Sequence, residues 1–167
     1  MAGPLDGVKI ADFTEIIAGP LAGRLLAEMG ADVIKIEPPW GEPWRLNQRF
    51  TATESRGFMV YNRGKRSLPL DLTKPESQEI LGRLIPQVDV VLANFRPDVA
   101  AKLGVDYPTL DSLNPRLVYC EVTAHGRAGP EADRPGYDMI LQAMSGLMAC
   151  ETKLDNGVPQ QIWSTPL

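Results

Sequence analysis

The first 37 residues constrain the fold more than any other stretch. "VKIADFT" (8–14) and "ADVIKIE" (31–37) are short apolar runs with strand character, and "GPLAGRLLAEMG" lies between them. In that intervening piece Leu21, Leu25 and Met29 recur every fourth residue, a helical stripe. Pro20 suits a first turn and Gly30 a stop. Two strands joined by a helix over so short a span form a crossover, which makes the strands parallel.

The alternation resumes after residue 64. "KRSLPLDL" is extended, and "TKPESQEILGRLI" reads as a helix with Thr73 at the N-cap and Glu76 at the capping-box spacing. "VDVVLANF" (88–95) has the unbroken apolar character of a strand buried on both faces. Helical pieces follow at 98–103 and 107–113, then the strand "RLVYCEVT" (116–123). A Gly/Pro-rich loop leads into a helix over 137–149, where Ile140, Met144 and Leu147 fit one buried face and Gly146 permits close packing. "ETKLDNGVPQQIWSTPL" reads as a turn with a strand beginning. The expected class is α/β, an open parallel Rossmann-like sheet flanked by helices with right-handed connections.

Residues 38–64 break this rhythm. They are rich in Pro, Gly, Trp and Arg without a clear period, and a long irregular insertion in a compact domain is usually functional. Trp40, Trp44 and Phe58 either line a substrate pocket there or pack at a core or interface.

Several function classes are disfavoured by composition. The net charge of −4 carries no polybasic footprint for nucleic acid. No apolar run approaches the roughly 20 residues a membrane span needs. The two cysteines and single histidine argue against a disulfide framework or a multi-histidine metal centre. The cytoplasm is the expected compartment.

Open α/β sheets bind ligands at the carboxyl ends of their strands. "AGPLAG" opens a helix after the first strand, and free N–H groups there suit a phosphate or carbonyl oxygen. However, Pro20 removes a donor and the G-x-G-x-x-G spacing of a dinucleotide site is missing. "NFRPD" offers Asn94, Phe95 and Arg96, which either hold a nucleotide or serve as turn, core plug and solvated cation. "NRGKRS" (62–67) is either an anion site or a solvated basic edge. At the mouth of the 137–149 helix, Tyr137 and Asp138 either cap and pack or face a ligand.

Taken together, "PLDGVKIADFTEIIAGP", "LLAEMGADVIKIEPP", "NRGKRSLPLDLTKPE", "VDVVLANFRPDVAAKLG", "LNPRLVYCEVTAHGRAGP" and "RPGYDMILQAMSGLMA" run in order along the chain. This series resembles the class III CoA-transferases, the family of formyl-CoA, crotonobetaine and bile-acid CoA-transferases and of α-methylacyl-CoA racemase. The resemblance implies that residues 1–167 are the N-terminal part of a CoA-binding large domain. A small domain and a C-terminal return segment would complete it in an interlocked homodimer. It implies transfer of CoA from an acyl-CoA to a free carboxylic acid, with coenzyme A as substrate and no permanently bound cofactor or metal. The family nucleophile is an aspartate that forms an anhydride and then an enzyme thioester. It is expected just beyond Leu167, so residues 1–167 alone are expected to be inactive.

The same resemblance implies CoA contacts at Ile17 and Ala18, at Leu70, Asp71, Leu72 and Thr73, at Asn94, Phe95 and Arg96, and at Lys102. Tyr137 and Asp138 would lie beside the thioester. Pro38 departs from a basic CoA contact in formyl-CoA transferase, and Arg45 and Arg63 are the candidates to replace it. Tyr137 stands where the racemase has histidine. A phenol with an ordinary pKa near 10 is a poor base for α-proton removal, which favours transfer over racemisation. The alternatives are an acyl-CoA racemase of this family and a non-catalytic CoA-binding module.

Overall fold

The computed structural model describes residues 3–47, 49, 51–52, 55–150 and 153–161. Its contacts divide the chain into two units, 1–122 and 123–167. The first unit is a sheet of five parallel strands, β1 (Lys9–Asp12), β2 (Asp32–Glu37), β3 (Arg66–Pro69), β4 (Val90–Ala93) and β5 (Val118–Glu121). Their order is β3-β2-β1-β4-β5. The chain winds outward from β1 to β3, then returns to place β4 on the other side of β1. A crevice at the strand ends belongs to that reversal.

Six helices accompany these strands: α1 (Ala18–Glu28), α2 (Pro43–Leu46), α3 (Arg56–Asn62), α4 (Pro75–Leu84), α5 (Pro97–Lys102) and α6 (Tyr107–Leu113). Alternate strand residues enter two separate cores. Ala11, Phe13, Ile36 and Val91 pack with Leu81, Ala100 and Leu110 from α4, α5 and α6. Ile10, Val33 and Leu92 pack with Leu26 and Ala27 from α1. Burial on both faces is why these strands read as apolar runs rather than as alternating patterns.

The helix α1 turns a different face inward from the one its leucines suggested. Leu25 and Met29 are 45% and 42% exposed, whereas Gly19, Pro20 and Gly23 are buried. Contact with β1 is too close for side chains. A Cβ on Gly19 would lie 2.4 Å from Thr14 Cβ, and one on Gly23 would lie 2.5 Å from Asp12 Oδ2. The glycines form the packing surface, and the regularly spaced Leu25 and Met29 lie outside it.

Within 38–64 the chain forms the short helices α2 and α3, too brief to show a period. Their starts follow ordinary capping chemistry. Glu42 caps α2 with Pro43 at its first position, and Ser55 Oγ accepts the Phe58 N–H at 3.0 Å to cap α3. Thr73 does not cap α4: Lys74 occupies that position without a side-chain bond, and Thr73 donates to Asp71 Oδ1 instead.

In the second unit, the expected single helix is two, α7 (Asp138–Met144) and α8 (Leu147–Cys150). Gly146 separates them with φ of 79° and has open space around it, so it serves as a break rather than a packing contact. Ile140 and Met144 are 41% and 55% exposed, and the buried residues are Gln142 and Met148. A hairpin follows, β6 (Leu154–Asp155) and β7 (Val158–Pro159), turning through Asn156 and Gly157, both at positive φ. Residues 162–167, where the sequence suggests more strand, lie outside the described residues.

The close approach of α1 gives a test with opposite signs. Alanine is a better helix former than glycine by roughly 1 kcal/mol. Gly82→Ala in α4, where a Cβ meets nothing within 4 Å, should therefore raise stability. Gly23→Ala should instead lower it by about 1–3 kcal/mol, because the new methyl overpacks the Asp12–Lys65 contact. Urea unfolding midpoints of the two variants check this.

Candidate functional site

At the carboxyl ends of β1, β2 and β4 the structure concentrates buried charge. Asp12, Thr14, Lys35, Glu37 and Glu42 are each at most 4% exposed. A charged group this deep needs partners, because desolvation otherwise exceeds any gain. Lys65 reaches across from the end of α3. Its Nζ donates to Asp12 Oδ2 at 2.6 Å, Pro20 O at 2.9 Å and Asn62 Oδ1 at 2.9 Å. Burial lowers the Lys65 pKa and Asp12 opposes that shift; the net direction is downward.

Glu37 makes a second cluster. Arg45 grips its carboxylate through two nitrogens at 2.6 and 2.7 Å, and Ser67 Oγ donates at 2.8 Å. Burial pushes this carboxyl up, but the bonds from Arg45 and Ser67 outweigh it, and the pKa falls below its ordinary value. The Arg45 guanidinium also lies 3.6 Å over the Phe58 ring.

These side chains enclose the loop from β1 to α1. Asp12 Oδ1 accepts the Thr14 N–H at 2.9 Å, and Lys35 Nζ donates to Thr14 O at 2.7 Å. The Asn94 amide takes both main-chain groups of Glu15, accepting its N–H and donating to its carbonyl, each at 2.9 Å. Glu42 Oε2 accepts the Ile16 N–H at 3.0 Å. Ile16 sits at φ of 74°, a region that β-branched residues rarely occupy. Immediately after it, α1 begins at Ala18 with Ile17 in the cap position and no capping side chain.

Several residues anticipated as CoA contacts lie at these strand ends. Ile17 is half-buried and Ala18 exposed, both beside the clamped loop. Asn94 belongs to the clamp itself. Phe95 packs on the larger core, and Arg96 pairs with Asp98 on the surface. Leu70 is buried and donates its N–H to Glu37 O, while Leu72 packs on the core. The Asp71 carboxylate accepts bonds from the Thr73 hydroxyl and N–H, which lower its pKa. Residues 70–73 thus close a turn after β3, across β2 from β1. Lys102 is exposed at the far end of α5, about 9 Å along a six-residue helix.

Tyr137 and Asp138 belong to the second unit. Tyr137 is 66% exposed in the cap position of α7. Asp138 Oδ2 accepts the Gln142 amide at 3.0 Å.

The basic segment 62–67 is a solvated basic edge at Arg63 and Arg66, which are exposed, while Lys65 turns inward. Lys65 is buried on Asp12, Arg63 bonds Glu28 at 2.6 Å, and Arg66 bonds Asp32 at 2.7 Å. Arg45 and Arg63, the proposed stand-ins for a basic residue at Pro38, are therefore committed to carboxylates. Arg49 also lies near Pro38. It shares a cleft of about 260 Å³ with Pro38, Trp40, Ser67 and Pro69. Among the described residues no group of three or more His, Cys, Asp or Glu could hold a metal ion.

Sequence reading missed Asp12, Lys35, Glu42 and Lys65. The available signal was a charge inside an apolar strand, as in "KIADFT" and "VIKIE", which demands an internal partner.

The profile of CoA-transferase family III matches residues 5–165. The chain belongs to that family. It is 44% identical over 154 residues to the succinate–glutarate CoA-transferase of Agrobacterium fabrum, covering 87% of this chain and 38% of that protein. It is 39% identical over 166 residues to the acetyl-CoA:oxalate CoA-transferase of Acetobacter aceti, covering 99% of this chain and 42% of that one. Among solved structures, a CAIB/BAIF family protein from Brucella suis superposes with a TM-score of 0.87 at 38% identity, over 98% of this chain and 44% of its own. A Mycobacterium tuberculosis protein also gives 0.87, at 42% identity, over 99% and 46%.

Two expectations follow from the buried charges. Lys65→Met leaves Asp12 buried without its cation and should cost on the order of 3–5 kcal/mol, read by chemical denaturation. Burial raises the Glu15 pKa above its ordinary 4.5; Glu42 raises it further, Lys35 opposes and Glu37 adds. A raised carboxyl contributes stability below its unfolded pKa and loses it as pH rises through the folded one. Glu15→Gln should therefore raise the unfolding midpoint at pH 7, and the gain should vanish below about pH 4.5.

Proposed function

We propose that the protein to which this chain belongs moves CoA from an acyl-CoA to a free carboxylic acid. The supporting observation is the family match across 5–165, together with relatives named as CoA-transferases. The chain spans only 38–42% of the length of such relatives, so the reaction is assigned to the full-length protein. In this reading residues 1–167 are the N-terminal part of the CoA-binding domain, and the complete enzyme is an interlocked homodimer.

The chemistry proceeds through an aspartate carboxylate. It attacks the acyl-CoA carbonyl, expels CoA thiolate and becomes a mixed anhydride. The thiolate then attacks the enzyme's aspartyl carbonyl, releasing the first acid and leaving an enzyme–CoA thioester. The acceptor carboxylate attacks that thioester, expelling CoA thiolate and forming a second anhydride; the thiolate then attacks the acceptor's acyl carbonyl, which gives the new acyl-CoA and frees the aspartate. The nucleophile is proposed to follow Leu167. Ile17, Ala18, residues 70–73, Asn94, Phe95, Arg96 and Lys102 are proposed on the CoA side, and Tyr137 and Asp138 beside the thioester.

The named relatives act on short dicarboxylates such as succinate, glutarate and oxalate, and the acceptor proposed here is of that class. The test supplies the full-length enzyme with succinyl-CoA and a panel of mono- and dicarboxylic acids, with mass spectrometry of the acyl-CoA products. Transfer to a dicarboxylate, with an aspartyl–CoA adduct on the protein, is the expected result. Absence of acid-dependent transfer across the panel overturns the proposal. Deuterium exchange at the α-carbon of a 2-methylacyl-CoA without an acceptor would instead identify a racemase.

A further inference from the structure

We propose that Glu42 is a positioning residue for the acyl-CoA site, acting through the strained turn at Ile16. This assignment rests on the coenzyme A reading above, which puts Ile17 and Ala18 against the ligand.

Glu42 is fully buried, and each part of it has a separate task. Oε2 accepts the Ile16 N–H at 3.0 Å and, more weakly, the Trp44 N–H at 3.4 Å. Oε1 lies 4.0 Å from Lys35 Nζ, within ion-pair range but beyond a hydrogen bond, and has no hydrogen-bond partner among the described residues. Lys35 in turn holds Thr14 O. One carboxylate therefore joins the start of α2 to both ends of the Thr14–Ile16 turn.

The turn needs such a hold. A left-handed φ at a β-branched residue costs of order 1–3 kcal/mol and persists only where its surroundings over-determine it. Asn94 holds the peptide between Glu15 and Ile16 from its carbonyl side, and Glu42 holds the same peptide from its N–H side. The φ at Ile16 sets the direction in which the chain enters α1, and hence where the main-chain groups of Ile17 and Ala18 point. Their side chains carry no polar atom, so only those main-chain groups can hydrogen-bond a ligand. Releasing Ile16 allows the turn to relax and spoils this presentation without touching the ligand.

The test separates reach from charge in the full-length enzyme. Glu42→Asp keeps the charge near Lys35 and a good cap for α2, but withdraws the carboxylate from Ile16 by one carbon–carbon bond, about 1.5 Å. The dissociation constant for CoA and the KM for acyl-CoA should rise about tenfold, while kcat at saturation changes less than about threefold. Glu42→Gln keeps the reach but leaves buried Lys35 without its counter-charge, so any loss of affinity there should not be restored by Ile16→Gly. Adding Ile16→Gly to Glu42→Asp should restore affinity, because glycine adopts this φ without strain. Unchanged CoA affinity in Glu42→Asp overturns the assignment, as does failure of the glycine rescue or equal rescue of Glu42→Gln by Ile16→Gly.

One measurement needs no variant. In the unliganded enzyme the Ile16 amide should be protected from hydrogen exchange at least about a hundredfold, and an unprotected amide also overturns the assignment. If the wild-type enzyme binds no CoA, the functional reading fails and this one with it. If wild type binds and Glu42→Asp binds equally, only this one fails.

Discussion

Main-chain hydrogen-bond satisfaction at the end of β1 governs the site. Beyond Asp12 the parallel ladder to β2 ends, yet the chain remains buried through Thr14. Buried N–H and C=O groups without partners cost roughly 1–3 kcal/mol each. Here five successive main-chain groups, from Thr14 N–H to Ile16 N–H, are met by Asp12, Lys35, Asn94 and Glu42. Three of those four side chains are ionisable, so the solution for the backbone creates a second requirement. Each buried charge needs its own counter-charge, which brings in Lys65 for Asp12 and the Lys35–Glu42 pair.

That second requirement reaches into the surrounding elements. Lys65 reaches Asp12 because α1 lies against β1 through Gly19 and Gly23, and on the way it ties Pro20 O and Asn62. Glu42 stands where it does because α2 is anchored by Arg45 on Glu37, with Phe58 of α3 beneath the guanidinium. The irregular 38–64 segment therefore acts as the brace of the β1–α1 turn. Substitutions in α2 would be felt at α1 through this chain of contacts, without any direct contact to a ligand.

The central strands β1, β2 and β4, and with them the α/β class, could be read from the sequence because burial on both faces leaves an unmistakable apolar run; the edge strands β3 and β5 are more exposed. The packing face of α1 could not. Periodicity favours Leu25 and Met29, whereas close approach selects residues with no side chain, and a glycine contributes nothing to a hydrophobic stripe. The helices α2 and α3 are shorter than the window in which a period emerges; only their caps, Glu42-Pro43 and Ser55, were there to be read. Strand-end loops were marked as the place for a site because sheet topology directs ligands there, and the buried charges lie at those ends. The inward commitment of Lys35, Arg45 and Lys65 was hidden because each depends on a partner distant in sequence: Thr14 O, Glu37 and Asp12.

A clamped loop also bears on how one family serves many acids. Presentation by main-chain groups is independent of side-chain identity at positions 16 to 18, provided the turn is held. A loop already held in one shape avoids the ordering cost that a mobile loop incurs when it binds a ligand. Under the proposed function, CoA would meet this rigid backbone, while selection among acids would fall to residues outside this network. Division of labour of this kind requires that the buried charges remain paired. A carboxylate lost from the brace would alter the presentation of CoA itself before it altered any preference among acids.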